Sequence, residues 1–405
     1  MCLDYAFIEK LYESFGAQTK HRIDQVVSKI VQTKKQNGHV VVVTGSGPNI
    51  HEGVTTLIAE LIKKDLIDGV ITSSAVIAHE MAGSLDKVKR VKGKELPGIQ
   101  PEFLPRGSIF EVTLMDNTVL HELQEEMIID TELIERVLQA EGTVIIKAAG
   151  NMAYPIGLRT ERIAAEIEAL AQLAGKPFEY IAGLGADQRT MIGAGARKQV
   201  PVLVSVPQLI GGGRVGLAIG DSIPLKQRSR LIAQMLAQAE VIIESGVALT
   251  QEIHDGPFET YTGHGIWSAW EGIETFSLQE KTLARIDLDP NLEEVWRLEK
   301  SGGSVQKSIH EGMPKTKTFK VPFRMEMSGF ARLESSIPIV GDLGVVWPII
   351  AAHVSQQLGI ELDFCSYPQE SEQGKQMREW IVQNVKMLNK KRMLECMQGN
   401  VLFRE

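Results

Sequence analysis

The chain has 405 residues, 43% hydrophobic and 23% charged, with a formal net charge of −8. That length allows one large α/β domain or two small ones, and the composition is that of an ordinary globular protein. The negative charge argues against a generic nucleic-acid surface, and no apolar run reaches the roughly 18–20 residues needed to span a bilayer.

In chain order, residues 1–38 read as a helical leader. Ile8, Leu11, Tyr12 and Phe15 form one apolar face, and Ile23, Val26, Val27, Ile30 and Val31 form another. Gly38 is a plausible C-cap before a β-branched run over 40–44. A glycine loop over 45–53 follows, then an amphipathic helix over 54–62 and a second buried-looking strand over 69–72. Residues 86–110 are basic, carry Pro97, Pro101 and Pro105, and read as a solvated loop; a lid or an anion contact is the sharper alternative. The alternation then resumes, with a helix over 120–139, a strand over 143–147 and a helix over 161–174. A strand over 179–183 is expected to open into a small-residue loop over 183–196, followed by a strand over 201–205 and glycines over 211–216. A helix over 224–238 precedes strands over 240–243 and 284–288, a helix over 292–300, a strand over 337–340 and a helix over 347–358. Residues 366–405 read as a charged, methionine-bearing helical tail. Strands alternating with helices predict a doubly wound, mostly parallel α/β sheet. The domain reading is therefore a leader over 1–38, a catalytic domain over 39–365 and a tail over 366–405.

In such sheets ligands bind beyond the carboxyl ends of the strands, and chemistry-bearing residues fall there. Ser46, Gly47, Asn49 and Gly53 occupy the first loop, and Thr72, Ser73, Ser74 and Ala75 end the second strand. Small residues let a backbone approach a phosphate or ribose, and a following helix N-terminus favours an anion. Gly45 and Gly47 fit the start of a dinucleotide fingerprint, but the next glycine, Gly53, comes late, so a structural turn is the competing reading. Asp287 and Asp342 are strand-end carboxylates suited to ribose hydroxyls, although Asp342 between glycines also suits a turn and Asp289-Pro290 a helix N-cap. His79 and Glu80 follow the second strand; burial or helix capping competes there with substrate contact. His254 beside Asp255 could move protons, or be a locally hydrogen-bonded loop histidine. Phe258, Tyr261, Trp267 and Trp270 form an aromatic segment that could line an apolar slot or simply pack a loop. No metal is expected, since no His or carboxylate pattern has ligand spacing. The residues Gly45-Ser46-Gly47 do not form a nucleophile elbow. Cys2, Cys365 and Cys396 offer no disulfide framework, and Asp4, Glu9, Lys10 and Glu13 break any signal-peptide core, so a cytoplasmic location is expected.

The loop over 44–53, the strand end over 72–75, the segment over 241–256 and Gly341-Asp-Leu-Gly344 together resemble the deoxyhypusine-synthase-like, Rossmann-like NAD-binding superfamily. The resemblance spans roughly residues 39–360, in short blocks. Residues 74–80, 286–291 and 340–344 resemble the archaeal and cyanobacterial type of ornithine cyclodeaminase (LOR/SDH type). Residues 251–256 and Trp270 resemble the synthase branch. The resemblance implies NAD as cofactor, held by the loop and strand-end residues above. It implies transient oxidation of an amine to an imine on a small amine or amino acid, with NAD recycled. Glu252, His254 and Asp255 are then expected to orient the amine and move protons, with His79, Glu80 and Trp270 at the substrate. It also implies a dimer or tetramer. An aminobutyl transferase needs a lysine where this chain has Gly272, because that amine forms the imine, so this alternative is disfavoured. A non-catalytic nucleotide-binding protein of the same fold is the third reading.

Overall fold

The structure is a computed structural model. It describes residues 3–45, 47–100, 102, 104, 106–150, 152–205, 212–246, 276, 278, 280–300, 307, 310–313 and 335–399. Six strands form a parallel sheet: β1 (His39–Thr44), β2 (Gly69–Thr72), β6 (Val202–Val204), β7 (Ala239–Ser245), β8 (Thr282–Asp287) and β9 (Ser336–Val340). Their spatial order is β6-β2-β1-β7-β8-β9, with every pairing parallel. Taken in chain order, the six strands therefore lie 3-2-1-4-5-6, the doubly wound Rossmann-like arrangement. The chain leaves β1 in one direction for β2 and β6, then returns to the other side of β1 as β7. The crevice where the order reverses opens between the carboxyl ends of β1 and β7.

The central strand is a run of four valines because both of its faces are covered. Val40 and Val42 face one apolar cluster with the leader helices Tyr5–Glu13 and Ala17–Lys35, helix Val54–Lys63 and helix Leu343–Leu358. Val41 and Val43 face a second cluster with helix Leu225–Gln238 and helix Asn291–Lys300. The tail adds Met377, Ile381 and Met393 to the first cluster, so leader and tail share one core with the sheet.

Several local expectations change. The basic stretch is not a loop: β3 (Leu85–Lys92) pairs antiparallel with β4 (Ile109–Thr113) and β5 (Gly142–Ala148). Three of its cations are paired, Lys87 with Glu379, Arg90 with Glu111 and Lys92 with Glu95, which helps a charged sequence hold a strand. The predicted strand over 143–147 is thus β5 of this small sheet rather than part of the parallel one. Residues 179–183 lie in helix Phe178–Gly185, with Phe178, Ile181 and Ala182 buried, and short apolar runs do not separate helix from strand by periodicity. Part of the expected loop beyond it is helix Met191–Lys198, begun by the Thr190 hydroxyl accepting from Gly193 N. Residues 120–139 split into helices Asn117–Glu126 and Thr131–Gln139, the second capped by Asp130. The tail holds two helices, Glu372–Asn384 and Lys390–Gly399.

Candidate functional site

Beyond Thr44 the chain turns through Gly47 at φ 70°, ψ −111°, a conformation that L side chains rarely adopt. Among the described residues a Cβ built on Gly47 would meet nothing within 4 Å, so none of them covers the backbone there. Asn49 is 3% exposed and clamps the loop to the far side of the crevice. Its Nδ2 donates to Ser245 O at 3.1 Å, while Ser245 Oγ donates to its Oδ1 and accepts from Trp347 Nε1 at 2.8 Å. Asn49 thus fixes the glycine loop to the end of β7, with both ends of its amide engaged. Gly53, at φ 69°, has its open face filled: a Cβ there would lie 2.5 Å from Met377 Sδ. Its glycine requirement comes from the tail helix rather than from a ligand.

Along the same edge four hydroxyls are buried without a hydrogen-bond partner among the described residues: Thr44, Thr72, Ser73 and Ser205. They end β1, β2 and β6, and Thr44 and Thr72 share the sheet face of Val42 and Val70 by strand alternation. Ser73 N-caps helix Ser74–Met81 without a side-chain bond, and Gly212 does the same for helix Gly213–Ser222. The two N-termini adjoin, since a Cβ on Gly212 would lie 2.9 Å from Ser74 Oγ. Ala75 opens the first of these helices and is partly exposed. The Glu161 carboxylate stands against Gly213 at the start of the second helix, so of the two ends the one behind Ser73 is the better placed for an anion.

The acids at the other strand ends are partly engaged. Asp287 Oδ1 accepts from Asp289 N at 2.8 Å, and its other oxygen is 4.0 Å from a Cβ built on Gly246, at the end of β7. Asp289 accepts from Asn291 N at 2.9 Å, which starts the next helix. Asp342 N-caps helix Leu343–Leu358 by accepting from Gly344 N at 2.7 Å. Burial raises its pKa, and Glu370 adds to the rise. Nearby Glu52, 4% exposed, accepts from Gln369 N at 2.7 Å. Its pKa is pushed up to about 7, first by burial and then by Asp342 and Glu370.

His79 and Glu80 diverge, as neighbours on a helix must. Glu80 accepts from Met191 N at 2.8 Å and Ile192 N at 3.0 Å, capping helix Met191–Lys198, and burial lifts its pKa to about 7. His79 Nδ1 lies 2.7 Å from Ala149 O; a carbonyl only accepts, so Nδ1 carries the proton and Nε2 the lone pair. Burial lowers the pKa of His79, helped by Lys147 and His51. Ser46, Glu252, His254, Asp255 and Trp270 lie outside the described residues, as does Gly272. Sequence reasoning missed Thr44, Ser205 and Gly212 as site residues. The glycine run over 211–213 was the available signal for Gly212, whereas the hydroxyls differ in no local pattern from ordinary strand ends.

No family model matches the chain, and no curated protein matches it. Among solved structures, the ternary complex of AgrE with ornithine and NAD+ is 13% identical, with a TM-score of 0.42, over 85% of this chain and 34% of that one. Apo ArgZ, an arginine dihydrolase from the ornithine–ammonia cycle in cyanobacteria, is 10% identical, with a TM-score of 0.40, over 85% and 32%. A conserved LOR/SDH protein from Methanococcus maripaludis S2 is 10% identical, with a TM-score of 0.36, over 87% and 70%. The chain thus spans about a third of the length of the first two. No described helix is long and apolar enough to cross a membrane.

Proposed function

We propose that the crevice binds NAD and that the protein is an NAD-dependent enzyme acting on an amine-bearing small molecule, ornithine-cyclodeaminase-like in chemistry. The observation that carries the cofactor reading is the row of buried, unpartnered hydroxyls beside the open backbone of Gly47, at the topological switch point of a 3-2-1-4-5-6 sheet. Burying a hydroxyl without a hydrogen bond costs about 1–3 kcal/mol, so four of them at one edge fit a polar ligand. Gly47 and the N-terminus of helix Ser74–Met81 would take the pyrophosphate, and Thr44, Thr72, Ser73, Ser205 and Asp287 the sugar hydroxyls. The bound cofactor would supply reversible hydride transfer at the amine-bearing carbon, with no net redox change.

This chain's residues bind and orient the amine and handle its protons. The acids Asp287 and Asp342 give the crevice the sign that suits a cationic amine. Glu252, His254 and Asp255 are assigned to orienting the amine and moving its protons, and Trp270 to packing its aliphatic part. The position of Gly272 speaks against the aminobutyl transferase.

The test is a calorimetric titration of the full chain with NAD, alone and with ornithine or spermidine, followed by turnover assays. The reading expects NAD binding that tightens with one amine. NAD binding with no turnover of any amine would favour a non-catalytic nucleotide-binding protein. No heat with NAD in any mixture removes the cofactor reading altogether.

A further inference from the structure

Strand β6 ends the parallel sheet on one side, and its pairing shows which of its backbone groups face outward. Val70 lies opposite Val202, and Val70 N donates to Pro201 O. In a parallel pair this register turns residues 201, 203 and 205 toward β2 and turns Val202 and Val204 away from it. Val204 agrees: its N–H donates to Glu179 at 2.7 Å and its C=O accepts from Arg228 at 3.1 Å. On the other side of Val202, Val200 N donates to Gly195 O. Val202 itself is 7% exposed, and its outward N–H and C=O meet no protein partner among the described residues. The open ladder is therefore a single residue long.

Val202 lines a cavity of about 620 Å³. Helices from both faces of the sheet overhang the edge and wall it. Tyr180, from helix Phe178–Gly185, stands on the face of Val202 and Val204. Leu231 and Met235, from helix Leu225–Gln238, stand on the face of Leu203. The amides of Gln199, Gln234 and Gln238 add polar groups to an otherwise largely apolar lining. Apolar walls with a few polar groups, at this size, are the pattern of a small-molecule site. His39, Asp68 and Pro201 place the cavity at the amino ends of β1, β2 and β6, so it lies at the opposite end of the sheet from the crevice. Both acids that line it are paired, Asp68 with Lys34 at 2.9 Å and Glu179 with Arg228. Exposed Lys176 adds a cation at the rim, so the lining does not favour a cationic occupant.

An N–H and a C=O on one outward residue pair with a planar edge that presents an acceptor beside a donor, as a lactam or amidine ring does. An added strand needs successive rungs, and those at 200 and 204 are already engaged. We propose that this cavity is a second ligand site, for a nucleobase or a similar planar heterocycle held edge-on by the Val202 backbone. Tyr180 covers one face of the ring, and Leu231 and Met235 the other. The glutamine amides serve the ring substituents or a sugar. The site stands independently of the cofactor reading, because it shares no residue with the crevice. No bond is made or broken there.

The experiment follows the Val202 amide by NMR in the full chain carrying isotope-labelled valine, with the signal assigned by its loss in Val202→Ile. Adenosine and uridine are titrated, each beside the N-methylated derivative whose base edge has lost its donor. At least one nucleoside is expected to shift Val202 with a Kd in the millimolar range or tighter, and its methylated derivative to bind about tenfold weaker or worse. Leu231→Trp, which fills the cavity from the wall opposite Tyr180, should weaken the same nucleoside about tenfold or more. If that variant fails to unfold cooperatively, the methylated pair decides alone. A Val202 signal that no nucleoside moves at millimolar concentration would overturn the proposal, as would a methylated derivative that binds as well as its parent. A nucleoside that binds while the Val202 signal stays still belongs to the crevice and overturns it too. A blocked extended tripeptide that moves Val202 where no nucleoside does would make this a peptide site and remove the heterocycle.

Discussion

At the scale of single residues, the site acids divide by what their oxygens already hold. Asp342 caps a helix, so Asp342→Ala should cost about 1 kcal/mol in urea unfolding, and Asp342→Asn much less. If its carboxylate also accepts from a sugar hydroxyl, Asp342→Ala should weaken NAD binding by about 1.5–3 kcal/mol; an unchanged Kd would leave it a cap only. Glu80 carries a pH signature. Its folded pKa of about 7 exceeds the ordinary 4.5, so the folded state binds its proton more tightly. Its contribution is fully present below about pH 4.5 and is lost as pH rises through 7. The stability difference between the native chain and Glu80→Gln, which does not titrate, should therefore fall over that window. A difference that stays flat from pH 4.5 to 8 would place the Glu80 pKa at its ordinary value. His51 and His79, with lowered pKa values, act oppositely below 6.5, which is why the comparison uses a variant rather than the native curve alone.

At the scale of elements, two devices hold the sheet and its attachments. Strand β6 is an edge, and Val204 meets side chains there instead of another strand. Glu179 accepts from Val204 N at 2.7 Å, and Arg228 donates to Val204 O at 3.1 Å. The two side chains form a fully buried ion pair, and Arg228 also binds Ile219 O and Ser222 Oγ. This satisfies the open ladder and blocks strand addition at that point. Arg228→Met would leave Glu179 buried without its partner and should cost about 3–5 kcal/mol in chemical denaturation; a loss below about 1 kcal/mol would contradict the edge-sealing role. Gly53 joins the loop to the tail helix. Gly53→Ala adds the Met377 clash to the left-handed strain, whereas Gly175→Ala, at φ 60° with nothing within 4 Å, adds the strain alone. The first should destabilise more than the second, and equal losses would mean that the tail helix yields freely.

At the scale of the whole molecule, leader, sheet and tail bury a common core. Removal of residues 366–405 would expose the packing faces around Gly53 and Gly185, because Met377 and Ile381 fill the first and Leu388 and Met393 the second. The truncated chain should lose cooperative thermal unfolding, and an unchanged transition would show the tail to be an appendage. Much of this architecture was legible in order along the chain. The valine run over 40–43, the glycine loop and the strand ends at Thr72 and Val340 carry local signals of period, as does the helix expected over 347–358, which begins earlier, at Leu343, because Asp342 caps it. The misread segments share a cause. Residues 179–183 and 143–147 are short apolar runs whose type and sheet depend on what they meet, and the charges over 87–94 hold a strand because distant acids pair with them. Local sequence therefore determined the alternation of strands and helices and the placement of small and acidic residues at strand ends, since backbone propensity and hydrophobic period act over a few residues. Tertiary structure alone decided which strand ends face each other, which hydroxyls are left without partners, and that Arg378 of the tail reaches Ile146 O in β5. Those facts follow from long-range pairing and burial, which no local window contains.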